Sequence, residues 1–160
     1  MDFQQRLAKA IERGQLRGDQ RARAKAEKEL NEKELARLHS QYRLELSEHI
    51  EKCLKQLADN FPGFRFETIV GERGWGAKLR RDDLSLKNGR RDNLFSQLQI
   101  VVRPASEYHV LDLAAKATVR NKELFNRNHY QRLTDVDPTS FNEMVDLWVL
   151  EYAEVFAAGG

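Results

Sequence analysis

The sequence predicts an α+β fold: a long N-terminal helix, an antiparallel meander sheet of about four strands and a C-terminal amphipathic helix, packed as a two-layer sandwich. Three observations support this prediction. Residues 1–61 contain no proline and are rich in good helix formers. Apolar residues then recur at every second position, and after Pro138 they return to a spacing of three and four.

The first element is a long helix whose second half bears an apolar stripe. Asn60 and the pair Pro62-Gly63 end this helix. Residues 1–28 are mostly polar, so we expect a charged helical extension that is flexible or is ordered only by a partner, followed by a single α+β domain over 29–160. The stripe consists of Leu35, Leu38, Tyr42, Leu46, Ile50, Cys53, Leu57 and Phe61.

Alternating segments after Pro62 predict strands. Residues 64–70, 94–103 and about 108–120 each place apolar side chains at every second position. Each strand therefore has one apolar face, which predicts a sheet covered by helices on one side only. The segment 121–136 leaves two alternatives open, a further strand or a long loop.

A hairpin is predicted around Asn88-Gly89, because this pair lies between two alternating segments. The apolar residues of 77–79 and 84–86 alternate in opposite phase, so we expect a bulge between them that shifts the register. Three glycines precede this hairpin at 71, 74 and 76. A phosphate-binding loop would lead into a helix, whereas these glycines lead into a strand. We therefore interpret them as turn residues that let Trp75 fold over the sheet edge.

The last helix is predicted to begin with Asp137 as N-cap and Pro138 in the first turn, and Ser140 with Glu143 is a competing capping box one turn along. Its apolar face comprises Phe141, Met144, Val145, Trp148, Val149, Tyr152, Val155 and Phe156. Leu147 and Leu150 flank this set and make the face wider than one side of a small sheet requires. For this reason we expect self-association, with Leu147, Trp148, Leu150 and Tyr152 as candidate contacts.

Charge is unevenly distributed along the chain, although the formal net charge is only +2. Residues 138–160 carry four acidic and no basic side chains. Two basic series are candidate nucleic-acid contacts. The hairpin series is Lys78, Arg80, Arg81, Lys87, Arg90 and Arg91. The helix series, over residues 9–28, is Lys9, Arg13, Arg17, Arg21, Lys25 and Lys28. Acidic residues between these positions favour the simpler interpretation of solvated surfaces.

The polar face of the predicted sheet is a further candidate surface. Its members share strand parity: Gln97, Gln99, Arg103, Asp112, Lys116 and Arg120. An uncovered face of this kind serves as a ligand platform or a dimer contact. The alternative is a solvated face with cross-strand charge pairs.

Catalytic and cofactor motifs find little support in the sequence. The single cysteine, Cys53, excludes an internal disulfide, and we interpret it as a buried apolar residue with no base nearby. The alternative is a zinc site formed by His109, Asp112 and His129. We therefore expect no cofactor, no metal and no enzymatic activity.

Residence in the cytoplasm without a membrane partner is expected, because no long apolar run exists and the N-terminus is charged. Two functional hypotheses follow from these patterns. The first is an interaction module that binds itself or another protein. The alternative is a nucleic-acid-associated protein that uses hairpin 78–92 and the basic helix series.

Overall fold

A computed structural model describes residues 2–159, so Met1 and Gly160 lie outside the described part. The described elements are α1 (Phe3–Asn60), β1 (Arg65–Ile69), β2 (Trp75–Lys87), β3 (Arg90–Val102), β4 (Val110–Val119), β5 (Lys122–Arg132) and α2 (Pro138–Ala157). A short 3-10 helix, Leu133–Asp135, joins β5 to α2. The predicted α+β class is confirmed. The sheet has five strands rather than about four, because the segment left open at 121–136 supplies β5.

The described residues form two compact units, which divide after Arg37. In the first unit, every side chain from residue 2 to 34 is exposed. The helix begins with a capping bond, since Asp2 Oδ1 accepts the main-chain N–H of Gln5 at 2.8 Å. Its Ala, Glu, Lys, Arg and Gln content favours the helix without any buried face. The boundary expected from the sequence, between residues 28 and 29, falls earlier in the same helix.

The second unit contains an antiparallel meander in which each strand pairs with its neighbour in the chain. β2 and β3 pair without interruption from Trp75 opposite Val102 to Lys87 opposite Arg90. Their turn consists of Asn88 and Gly89, both with positive φ (53° and 75°), as a two-residue hairpin turn requires. Residues 81–96, here called the hairpin arm, extend beyond the part of β2 that pairs with β1 and the part of β3 that pairs with β4.

The predicted bulge in β2 is wrong. β2 keeps a single register, so Leu84 and Leu86 lie on the face opposite to Leu79 and are 62% and 70% exposed. The change of apolar phase therefore marks where the strand leaves the core. A register irregularity does occur elsewhere, in the pairing of β4 with β5, where Ala117 and Thr118 lie opposite Phe125 and Glu123 and Leu124 is the extra residue.

Both helices of the second unit pack on one face of the sheet. On the α1 side, the Arg43 guanidinium lies 4.1 Å from the Trp75 ring centre. On the α2 side, Trp148 packs against Phe125 with ring centres 6.4 Å apart. The buried core between the layers includes Leu46, Ile50, Leu54, Leu57, Leu79, Leu98, Ile100, Leu113, Phe141, Val145, Tyr152 and Phe156. Each fully buried side chain of this kind contributes about 1.5–3 kcal/mol.

The connections agree with most of the turn chemistry expected from the sequence. Gly71 and Gly74 have positive φ (103° and 116°) in the β1–β2 turn, and β2 rather than a helix follows them. Trp75 differs from expectation, because it lies on the helix-covered face and not over the sheet edge. Asp137 caps α2 as predicted, since its carboxylate accepts the N–H of Thr139 at 3.2 Å. None of the helices described in residues 2–159 has the length and apolarity needed to cross a membrane.

Candidate functional site

A groove of about 610 Å³ runs between the end of α1 and α2. The two helices run in the same direction along it, because Cys53 lies beside Asp146 at one end and Phe61 packs edge-to-face on Phe156 at the other. Its lining is mainly apolar: Cys53, Gln56, Leu57, Asn60, Phe61, Asp146, Val149, Leu150, Ala153, Glu154 and Ala157. We call this the α1–α2 groove.

The outward side of α2 presents two leucines beside this groove. Leu147 and Leu150 are 59% and 64% exposed, and Leu150 is also a groove wall. The other two candidate contacts are in the core. Trp148 packs on Phe125, and the Tyr152 hydroxyl donates to a main-chain carbonyl at 2.9 Å. Trp148 and Tyr152 are therefore not part of an accessible surface, because they fill the space between α2 and the sheet.

The border of the groove is acidic. α2 carries four acidic residues and no basic residue. Glu151 is paired with Arg127 at 2.6 Å and Asp146 with His49 at 2.7 Å. Glu154 lines the groove and forms no ion pair with any residue between 2 and 159. The groove thus combines an apolar floor with a negative border.

Three side chains with different chemistry meet at one end of the groove. His49 Nε2 donates to Asp146 Oδ1 at 2.7 Å and lies 3.5 Å from Cys53 Sγ. The Cys53 thiol donates to the same carboxylate oxygen at 3.4 Å. We call these residues the His–Cys–Asp cluster. The structure thereby corrects two expectations, because Cys53 is only half-buried and has an imidazole beside it.

The cluster is unsuited to nucleophilic catalysis. Burial raises the pKa of Cys53 to about 11, and the hydrogen bond to Asp146 acts in the same direction, so the thiol is protonated at neutral pH. In a catalytic triad the carboxylate and the nucleophile bind different imidazole nitrogens. Here Asp146 and Cys53 both approach Nε2 of His49. His49 is therefore not positioned to deprotonate the thiol.

The sequence contained one signal for this cluster. His49 and Cys53 are four residues apart, which places them on one face of a helix. The expectation of no metal site rested on the spacing of histidine pairs, and it therefore did not include a pair of one histidine and one cysteine. Asp146 is 93 residues further along than Cys53, and no sequence pattern connects the two.

The basic hairpin residues do not form a single surface. Strand register places Lys78, Arg80 and Arg91 on one face of the sheet and Arg81, Lys87 and Arg90 on the other. Several are already paired, such as Lys78 with Glu67 at 3.1 Å and Arg81 with Asp83 at 2.9 Å. A duplex could therefore contact about half of the series at once.

The polar sheet face is left uncovered by both helices, within the described residues. Gln97, Gln99, Arg103, Asp112 and Lys116 lie on it. Arg120 does not, because it follows the end of β4, in the β4–β5 turn with a positive φ (47°), and turns towards α2. Its guanidinium lies 4.5 Å from the Phe156 ring centre and donates to the Phe156 carbonyl at 3.4 Å. Arg120 therefore neutralises the end of α2.

The zinc alternative fails on geometry. His129 packs against Phe141 on the helix-covered side, with ring centres 4.8 Å apart. Asp112 is opposite Tyr130 and points to the other face of the sheet. His129 and Asp112 therefore cannot share an ion.

An amphipathic segment at the start of α1 remains exposed. Phe3, Leu7 and Ile11 recur every four residues and lie on one side of the helix. Arg6, Lys9 and Arg13 lie together on another side of the helix, with Glu12 among them. We call Phe3–Arg13 the N-terminal segment. Comparison of the chain with models of known protein families, with curated proteins and with solved structures gave no match.

Proposed function

We propose that this chain is a non-enzymatic interaction module that self-associates through the α1–α2 groove. The observation that supports the proposal most directly is the exposure of Leu147 and Leu150 beside an apolar groove. The core under α2 is already filled by Phe141, Val145 and Trp148. The two leucines therefore contribute little to folding, and most of their apolar surface becomes favourable only when a partner covers it.

The occupant we propose is the N-terminal segment of a second copy. Its three apolar side chains, Phe3, Leu7 and Ile11, are 75%, 40% and 54% exposed on the helix. At 1.5 Å per residue the segment is about 15 Å long, and the groove wall from Asp146 to Ala157 is about 17 Å long. An amphipathic helix of this length fits a groove between two helices, with anchors at every fourth position.

Charge complementarity favours the same pairing. The N-terminal segment carries Arg6, Lys9 and Arg13 against a single acidic residue, Glu12. The groove border carries Asp146 and Glu154, and α2 has no basic residue. Opposite charges at the rim of an apolar contact speed association and fix its register more than they add affinity.

A mixing experiment tests this proposal. The groove variant is Leu147→Ala with Leu150→Ala, and the segment variant is Phe3→Ala, Leu7→Ala and Ile11→Ala. All positions are helical and exposed, and alanine favours helix, so both variants should fold. We expect sedimentation equilibrium to show concentration-dependent association of the parent chain above its 18.6 kDa monomer mass. At concentrations where the parent chain is mostly associated, each variant alone should be mainly monomeric, whereas their mixture should associate.

The mixture is informative because it contains one intact groove and one intact segment. Leu84→Ala serves as the control, since Leu84 is equally exposed but lies on the hairpin arm. A parent chain that stays monomeric at all concentrations would overturn self-association. Association by the groove variant alone, or failure of the mixture to associate, would show that the segment does not bind the groove.

Nucleic-acid association is the second candidate. One observation favours it: the six basic residues of the helix series 9–28 are all exposed and form no ion pair within the described residues. Binding of a labelled duplex should then weaken steeply with salt. The slope of log K against log salt concentration should increase in magnitude with each basic residue that contacts a phosphate. Absence of binding at low salt removes this candidate.

A further inference from the structure

We infer that the His–Cys–Asp cluster binds a divalent transition-metal ion of the zinc type. The inference is independent of self-association, because all three ligands come from one chain. Imidazole nitrogen, thiolate sulfur and carboxylate oxygen are the three donor types by which proteins hold Zn²⁺. The sulfur and the nitrogen disfavour the hard cations Mg²⁺ and Ca²⁺, which prefer oxygen ligands.

The ligand atoms are already close enough to share an ion. Their mutual distances are 2.7 Å (His49 Nε2 to Asp146 Oδ1), 3.5 Å (His49 Nε2 to Cys53 Sγ) and 3.4 Å (Cys53 Sγ to Asp146 Oδ1). A circle through the three atoms has a radius of about 1.9 Å, slightly shorter than zinc–ligand bonds of about 2.0–2.3 Å. An ion just above their plane therefore reaches all three atoms with little movement.

The backbone holds these ligands without a flexible loop. His49 and Cys53 are one turn apart on α1, and both flank the buried side chain of Ile50. Asp146 is on α2 next to the buried Val145. Because Ile50 and Val145 anchor both helices in the core, the spacing of the ligands is fixed by the fold itself. Rigid elements position metal ligands better than loops do.

Charge also fits a divalent ion. Binding of the ion displaces the thiol proton of Cys53 to solvent, and His49 must carry its proton on Nδ1 so that Nε2 can bind. The thiolate and the carboxylate then supply two negative charges, and neutral imidazole supplies none. Within residues 2–159 this is the one group of three or more His, Cys, Asp or Glu side chains whose donor atoms converge, all within 4.8 Å of one another. Three protein ligands leave a fourth tetrahedral position for water or another small ligand. Cys53 and Asp146 also line the groove, which gives that position access to solvent.

From the sequence we expected no metal, because no two histidines have metal-ligand spacing on one helix face. His49 and Asp146 are 97 residues apart. The fold brings them together across two helices. A bound ion would therefore connect α1 to α2. It would also stabilise the folded chain by mass action, by about 2.7 kcal/mol when free metal is at 100 times its dissociation constant.

Cobalt titration provides the test, since Cys53 is the only cysteine in the chain. Full-length protein is freed of metal with a chelator and titrated with Co²⁺. We expect a thiolate-to-cobalt charge-transfer band that saturates at one ion per chain and disappears when Zn²⁺ is added. Any such band must come from Cys53.

Four variants complete the test. Cys53→Ser should abolish the band. His49→Gln and Asp146→Asn should each weaken Co²⁺ binding at least about tenfold, because loss of a residue that only hydrogen-bonds to a metal ligand already has an effect of that size. His109→Gln is the matched control and should bind like the parent. Far-ultraviolet circular dichroism confirms that each variant is folded. The proposal is overturned if the folded parent gives no thiolate band, or if the band survives unchanged in both the His49 and Asp146 variants. It is also overturned if the band saturates at one ion per two chains, which would mean a site bridging two copies.

Discussion

Truncation of the two exposed leucines of α2 is the most direct quantitative test of the groove. Full burial of a leucine side chain contributes about 1.5–3 kcal/mol. Leu147 and Leu150 have 59% and 64% of their surface left to bury on association. Alanine keeps one methyl group at each position, so we expect the double variant to lose about 2–3 kcal/mol of association free energy, or about 30- to 150-fold in Kd.

The same substitutions should leave the fold almost unchanged. Exposed positions away from special contacts usually alter stability by less than about 0.5 kcal/mol. Alanine is also a slightly better helix former than leucine. Urea denaturation of the monomer should therefore give the parental midpoint, while sedimentation equilibrium shows the weaker association. The Leu84→Ala control, of matching exposure, should leave Kd within about twofold of the parental value.

A change of less than about threefold in Kd for the double variant would refute this reasoning, because it is too small for even one partly exposed leucine to have been buried. Loss of association together with a lowered urea midpoint would also refute it. In that case the leucines would support the fold rather than a contact between copies.

Three further predictions concern the second unit. Burial holds the pKa of His39 below its usual 6.5, and the nearby Arg43 acts in the same direction. Below about pH 6.5 the imidazole of the unfolded chain therefore binds a proton, whereas that of the folded chain stays neutral until the pH is lower. Unfolding free energy should therefore fall on acidification by up to about 1.4 kcal/mol per pH unit, and His39→Gln should reduce that slope in urea titrations. Gly76→Ala should destabilise by about 3 kcal/mol or more in the same assay, because the added Cβ would overlap the backbone carbonyl of Ile100; a loss below about 1 kcal/mol would contradict this packing. Tyr152→Phe should cost about 1–2 kcal/mol, since it leaves the part-buried carbonyl of Thr118 without this donor; a parental midpoint would show that the hydroxyl bond contributes nothing.

Local patterns were sufficient to predict the elements with strong periodicity. The cap at Asp137, the Asn88-Gly89 turn and the alternating strand 94–103 all depend on residues within a few positions of one another. The segment 121–136 was ambiguous because its polar and apolar residues do not alternate cleanly. β5 forms there because it completes the sheet edge and places Phe125 under Trp148.

The wrong predictions concern features that depend on tertiary packing between residues far apart in the sequence, which no local pattern reveals. Leu84 and Leu86 suggested a bulge because a leucine was assumed to face the core, whereas the hairpin arm has no core beneath it. Trp148 and Tyr152 satisfied the same helical periodicity as an exposed contact would. The His–Cys–Asp cluster needs Asp146, whose position beside α1 is set by how two separate helices pack on one sheet.

The groove and the His–Cys–Asp cluster share Cys53 and Asp146, so occupation of one bears on the other. A metal ion would neutralise Asp146 and remove one negative charge from a border that otherwise attracts a basic segment. Thermodynamic linkage requires that any factor by which the ion changes the association constant equal the factor by which association changes metal affinity. Glu154 lies outside the cluster and keeps its charge in either state. If both proposals hold, metal would therefore reduce the attraction at the rim without abolishing it, and would leave the apolar contact of Leu150 unaffected.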